Sequence, residues 1–230
     1  MIARMGFLQT RNGRLLVGGL LALVVIFTVV HARRYAPPVS AEAAPAPTDD
    51  ASSHYNRGNA YTEQNRLGDA ITEYEKAVAL NPQFAEAHLG LGVAYQRTNR
   101  LDLAVSEYQR VAALNPTNAV AYFDLGTAYY QQHKVEEAVQ AYERALQLNP
   151  FSADAHYNLG YIDAHDRKRP EQAFKHFRRA VESNPKYARA FYELGLIYEA
   201  RGQLAQAHSM WKKALEADPG YQPASSKLAR

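Results

Sequence analysis

Five dipeptides set a ruler along this chain. Asn81-Pro82, Asn115-Pro116, Asn149-Pro150, Asn184-Pro185 and Asp218-Pro219 recur at spacings of 34, 34, 35 and 34 residues. A fixed period in this range marks a stack of supersecondary units, because one unit cannot bury its own apolar face and a row of them can. Upstream of each proline lies a glycine: Gly58, Gly92, Gly126, Gly160 and Gly195. Leu91, Leu125, Leu159 and Leu194 precede four of these, and Arg57 precedes the first. Three residues after the glycine come Tyr61, Tyr95, Tyr129 and Tyr198, with Asp163 in the fourth unit. The next column is Ala70, Ala104, Ala138, Ala173 and Ala207, followed four residues later by Tyr74, Tyr108, Tyr142, Phe177 and Trp211. Ala77, Val111, Ala145, Ala180 and Ala214 close the pattern.

Apolar residues three and four apart within each half-unit describe two amphipathic helices. Glycine and alanine let helix backbones approach where they cross, and the aromatics fill the space between. Proline cannot continue a helix and holds the residue before it extended, so each unit ends there.

These columns resemble the tetratricopeptide-repeat family, whose units are antiparallel helix pairs of 34 residues. The resemblance implies an all-α fold, a right-handed superhelical solenoid of five units over 51–220, divided as 51–84, 85–118, 119–152, 153–187 and 188–220. Helices are expected at 51–65 and 67–80, 83–98 and 101–114, 117–132 and 135–148, 151–166 and 170–183, and 186–201 and 204–217. The C-terminal segment 221–230 is expected to add a short final turn against the last unit. The family often closes with a longer solvating helix, so an exposed apolar end face, or a partner covering it, is expected. The fourth unit carries one extra residue in His165-Asp166-Arg167-Lys168-Arg169. A longer turn is expected there, with Pro170 opening the next helix.

The first 50 residues read differently. After a basic segment 1–14 containing Arg4, Arg11 and Arg14, Leu15 to Val30 carries no charge. With His31 and Ala32 it is long enough for a thin transmembrane helix, expected at 15–32. Residues 33–50 contain Pro37, Pro38, Pro45 and Pro47 among alanines, the composition of a semi-extended linker. Arg33 and Arg34 separate the apolar run from small-residue cleavage sites, which favours a retained signal anchor over a cleaved signal peptide. Three arginines before the span against two after it place the N-terminus inside and the repeats outside. The expected address is therefore a bacterial inner membrane with a periplasmic repeat domain; cleavage would instead release the domain into the periplasm.

The formal net charge is +3, but five of the 26 basic and three of the 23 acidic residues lie in 1–50, leaving 21 against 20 in the repeats. A nucleic-acid binder concentrates positive charge on its folded part, so that class is excluded. With 47% hydrophobic and 21% charged residues, wholesale disorder is excluded as well. Cysteine is absent, which removes thiol nucleophiles, Cys-ligated metal sites and disulfides. No phosphate-binding glycine loop, HExxH helix or nucleophile elbow appears. We expect no enzymatic activity, no cofactor, no metal and no small-molecule substrate.

In the family the second, fifth, ninth and twelfth residues of each first helix line the concave face. That implies a peptide groove built from Tyr55, Asn59, Leu89, Val93, Phe123, Thr127, Tyr130, Tyr157, Tyr161, His165, Tyr192 and Leu196. Tyrosine and phenylalanine offer large contact area at low rotamer cost, as recognition surfaces require. The family's clamp for a terminal carboxylate is missing: Tyr55, Gly90, Val120 and Asp124 stand where it carries Lys, Asn and a basic pair, and only Asn59 fits. His54, His88 and His156 occupy a helix-packing column. Arg167, Lys168, Arg169, Lys175, Arg178 and Arg179 form a local basic cluster that could dock an anionic surface. The function expected is a membrane-anchored scaffold that binds a peptide segment of a partner protein and helps assemble an envelope complex. The alternatives are a maturation factor for a client, as in cytochrome c biogenesis, and an accessory subunit of an enzyme.

Overall fold

The structure, a computed structural model, describes residues 49–229. The expected transmembrane helix at 15–32 and the linker up to Thr48 lie outside the described residues. Eleven helices follow one another among the described residues, with no strand: α1 (Ala51–Glu63), α2 (Leu67–Leu80), α3 (Ala85–Arg97), α4 (Leu101–Leu114), α5 (Ala119–Gln131), α6 (Val135–Leu148), α7 (Ala153–His165), α8 (Pro170–Ser183), α9 (Ala188–Ala200), α10 (Leu204–Ala217) and α11 (Gln222–Leu228). Each odd helix packs on the even helix after it, and each even helix on the next odd one. None of these helices is long and apolar enough to cross a membrane.

The second helix of every unit begins where the sequence pattern puts it, but the later first helices begin two residues late, at Ala85, Ala119, Ala153 and Ala188. The cause is the side chain before each proline. The Oδ1 atoms of Asn81, Asn115, Asn149, Asn184 and Asp218 accept from the N–H two residues on, at 2.9–3.2 Å. The carbonyls of the same five residues accept from the N–H three residues on, at 3.0–3.2 Å. Each Asn/Asp-Pro pair is thus an Asx turn inside a β-turn with proline at its second position. Asn and Asp supply that acceptor best, which explains the column.

First helices stop in a left-handed residue: Asn65, Asn99, His133, Lys168 and Gly202 have φ between 55° and 72°. In four units the next N–H reaches back to the tyrosine-column carbonyl, as from Arg66 to Tyr61 at 2.8 Å, which closes a Schellman-type end. Three residues join the helices in those units and four in the fourth, where Pro170 opens α8 as expected.

Within each unit the aromatic of the second helix lies flat against the glycine of the first. A Cβ on Gly92 would stand 2.6 Å from Tyr108 Cε1, and one on Gly195 would stand 2.2 Å from Trp211 Nε1. Tyr74, Tyr108, Tyr142, Phe177 and Trp211 are all buried, with the alanine columns around them.

The two ends of the stack are finished differently. At the first unit, Arg57 and His54 both reach Glu73, at 2.7 and 2.8 Å, and Lys76 joins at 2.7 Å. Burial opposes ionisation of Glu73, but the bonds from Lys76, Arg57 and His54 outweigh it and hold the carboxyl at about 2. At the last unit the open end face expected from sequence is covered. Tyr221, Ala224 and Leu228 of the C-terminal segment pack with Trp211 and Ala214, and Lys227 binds Glu199.

Candidate functional site

The first helices carry the predicted groove residues. Ten of the twelve are half-buried, His165 is exposed, and Tyr157 is buried at 3% exposure. Several are engaged internally. Asn59 accepts from the Tyr74 hydroxyl at 2.7 Å, and Thr127 Oγ1 accepts from Tyr142 at 3.1 Å. Tyr130 donates to Asp166 at 3.0 Å. Tyr157, Tyr161 and His165 run as a ladder along α7, with ring centroids 6.2 and 4.3 Å apart.

A second column, aromatic in three of its five members, decides how much of the predicted groove is open. It is the residue just before each first helix: Phe84, Asn118, Ser152, Tyr187 and Tyr221. Phe84 covers Tyr55 at 5.0 Å, Tyr187 covers Tyr157 at 5.3 Å, and Tyr221 covers Tyr192 at 5.7 Å. Ser152 has no ring to offer; its hydroxyl accepts from Ala155 N–H at 3.3 Å as an N-cap. Beside Phe123 the stack therefore keeps a cavity of about 200 Å³, lined by Ala119, Val120, Phe123, Ala145, Ser152 and Asp154. Val120 is 55% exposed there. The 34-residue period itself was the signal for this column: counting two residues on from each proline finds it.

Charge at the face is asymmetric. The second, fifth, sixth and ninth positions of the five first helices hold Glu86, Asp124, Asp154 and Glu193 against the single cation Arg189. Asp154 accepts from the Tyr187 hydroxyl at 2.7 Å. Burial raises Glu193, and His165 at 3.6 Å and Arg189 draw it back. Asp124 is half-buried, and burial alone pushes it up to about 6. Arg189 lies with its guanidinium carbon 4.5 Å over the Tyr157 ring.

The basic cluster is largely spent on internal pairs. Arg167 binds Glu136 and approaches Asp163, Lys168 donates to the His165 carbonyl, and Arg178 and Arg179 both reach Glu182. The histidine column is more than packing. Nδ1 of His54 faces Glu73 at 2.8 Å and Nδ1 of His88 faces Glu107 at 2.6 Å, whereas His156 meets His176 at 3.4 Å. Among the described residues, three or more His, Asp or Glu side chains nowhere gather in a way that could hold a metal.

A TPR-repeat model matches residues 58–99, 97–133 and 126–162, and a second tetratricopeptide model matches 164–230. The chain belongs to the tetratricopeptide-repeat family. No curated protein matches its sequence. Among solved structures, this TPR protein is similar to MamA, at 29% identity and a TM-score of 0.64 over 70% of this chain and 94% of that one. It is also similar to YrrB, described as a TPR protein with an unusual peptide-binding site, at 25% identity and a TM-score of 0.62 over 79% of this chain and 93% of that one. PilF of Pseudomonas aeruginosa, at 24% identity and a TM-score of 0.67 over 73% of this chain and 76% of that one, shares the fold.

Proposed function

We propose that the chain is a protein-interaction scaffold that captures a peptide segment of a partner on the face of its first helices. The observation that carries this reading is the uncovered pocket at Phe123. In three of the other units an aromatic from the segment that follows closes the equivalent position, and here Ser152 leaves it open beside an exposed Val120. An apolar recess with polar atoms at its rim is how a small set of side chains anchors a peptide. The charge-free run Leu15–Val30 supplies the tether in this reading: the array stands on a bacterial envelope membrane and helps assemble a complex there. Both features serve one end, which is to concentrate a client at a surface.

Ser152→Tyr tests the groove directly, because it supplies the ring that Phe84, Tyr187 and Tyr221 supply at the equivalent positions. The variant should keep its helicity by circular dichroism and lose partner capture in a pull-down from envelope extracts. Unchanged capture would remove the pocket from the account. Alkaline carbonate extraction of membranes tests the tether: the chain should stay with the membrane pellet, and its release would refute anchoring.

A further inference from the structure

The pocket and the charge of its surroundings together define the chemistry of the occupant. Val120 and Asp124 are four residues apart on α5, so they lie one above the other on a single stripe of the helix. Val120 lines the pocket, and Asp124, outside that lining, follows it by one helical turn. Among the described residues, no hydrogen bond or ion pair reaches Asp124. Its charge raises the buried phenols of Tyr108 and Tyr142. Neither hydroxyl proton is free for it: Tyr108 donates to Gln96 Oε1 at 2.7 Å and Tyr142 donates to Thr127 Oγ1 at 3.1 Å. A half-desolvated carboxylate without a partner costs free energy until a cation reaches it. Glu86, Asp124, Asp154 and Glu193 against Arg189 at the second and sixth positions of the first helices also disfavour an acidic occupant. Arg189 over Tyr157 shows that the aromatic rings of this face take a guanidinium.

The geometry points to a basic–apolar peptide segment as the occupant, with an aliphatic or aromatic side chain in the pocket beside Phe123 and a neighbouring Lys or Arg paired with Asp124. This inference rests on the groove reading above and names the partner class for it. Recognition is then two-pronged. The pocket selects for apolar bulk, and the carboxylate selects for positive charge within a few residues of it in the bound segment.

The test uses the full chain and three sets of fluorescein-labelled ten-residue peptides, read by anisotropy. One set carries Leu and Lys at separations of one to four residues, the second replaces Lys by Glu, and the third replaces Leu by Ser. The Leu/Lys set should bind at its best spacing, and the other two should bind at least about tenfold more weakly. Asp124→Asn keeps the shape and removes the charge, so it should abolish the preference for Lys over Glu while preserving the preference for Leu over Ser. Ser152→Tyr should abolish both preferences. The cation assignment is overturned if Glu peptides bind as well as Lys peptides, if Asp124→Asn leaves the Lys preference intact, or if no set binds. If Ser152→Tyr changes nothing while peptides still bind, the groove reading itself fails, and that result is distinct from a failure at Asp124 alone.

Discussion

Adding one carbon atom at Gly92 tests the packing logic on which the whole stack rests. The new Cβ of Gly92→Ala would stand 2.6 Å from Tyr108 Cε1 and 2.8 Å from its Cδ1. Carbon atoms rest at about 3.5–4.0 Å, so ring and helix must part by roughly 1 Å. Tyr108 has little room to yield: it is 0% exposed, and its hydroxyl is held by Gln96 at 2.7 Å. Overpacking of this kind costs about 1–3 kcal/mol, against which alanine returns about 1 kcal/mol of helix propensity over glycine. The expected result is a net loss of about 1 kcal/mol. Gly68→Ala is the internal control, since nothing lies within 4 Å of its added Cβ on α2. It should gain about 0.5–1 kcal/mol from propensity alone. The two variants should therefore differ by about 2 kcal/mol, or roughly 4–8 °C in melting temperature for a chain of this size. Thermal melts of the full-length variants by far-ultraviolet circular dichroism measure the difference directly. If Gly92→Ala melts at or above the wild type, the glycine column is not there to admit the aromatic, and the packing account fails.

Two further substitutions follow from local geometry. Lys168 sits at φ 55° with only a side-chain bond to the His165 carbonyl in return, so Lys168→Gly should stabilise the chain by about 1 kcal/mol. A lower melting temperature would show that this side chain holds the turn. In the fourth unit, burial lowers both His156 and His176 below the usual histidine value; the Pro150 carbonyl and Glu182 oppose this at His156 and Arg179 adds to it, while at His176 Asp163 opposes and His156 adds. A histidine depressed by folding binds fewer protons in the folded state than in the unfolded one, so its contribution to stability is full above about pH 6.5 and is lost as pH drops below it. Asp124, raised by burial, acts in the opposite sense in wild type and variant alike. Melting temperatures at pH 7.5 and 5.5 should separate more for the wild type than for His176→Gln; equal separations would refute the coupling. Glu73, held at about 2, stays ionised throughout that window and contributes nothing to the change.

The architecture was legible because it repeats. Proline, glycine, alanine and aromatic columns each report one contact, and five copies of a contact leave little freedom in the reading. What the sequence pattern misplaced was the start of the first helices. The residue after proline looks helical by composition, whereas the Asn81 side chain spends its oxygen on the Gln83 N–H and delays the helix to Ala85. That two-residue shift hid Phe84 and Tyr187 as lids, and so hid the consequence of Ser152, while Tyr221 lay in the C-terminal segment read as a short final turn. Family-position reasoning found Tyr157 and Phe123 together, but only three-dimensional packing separates a ring covered by Tyr187 from one left open. Asp124 was visible as a departure from the basic pair expected for a carboxylate clamp. Its lack of a partner is a tertiary fact that no column carries. The His156–His176 pair was missed because His176 belongs to a column that holds Glu73 and Glu107 in the first two units.

The most direct test of the central claim is in-cell photo-crosslinking from position 120 of the full-length protein. Val120 is the residue for the probe because it is exposed at the pocket, whereas Tyr157 is buried and a probe there would disturb the core. The account predicts one dominant crosslinked protein, attached through a segment that carries an apolar residue near Lys or Arg, and its disappearance in the Ser152→Tyr background. Crosslinks spread over many proteins and unchanged by Ser152→Tyr would contradict it.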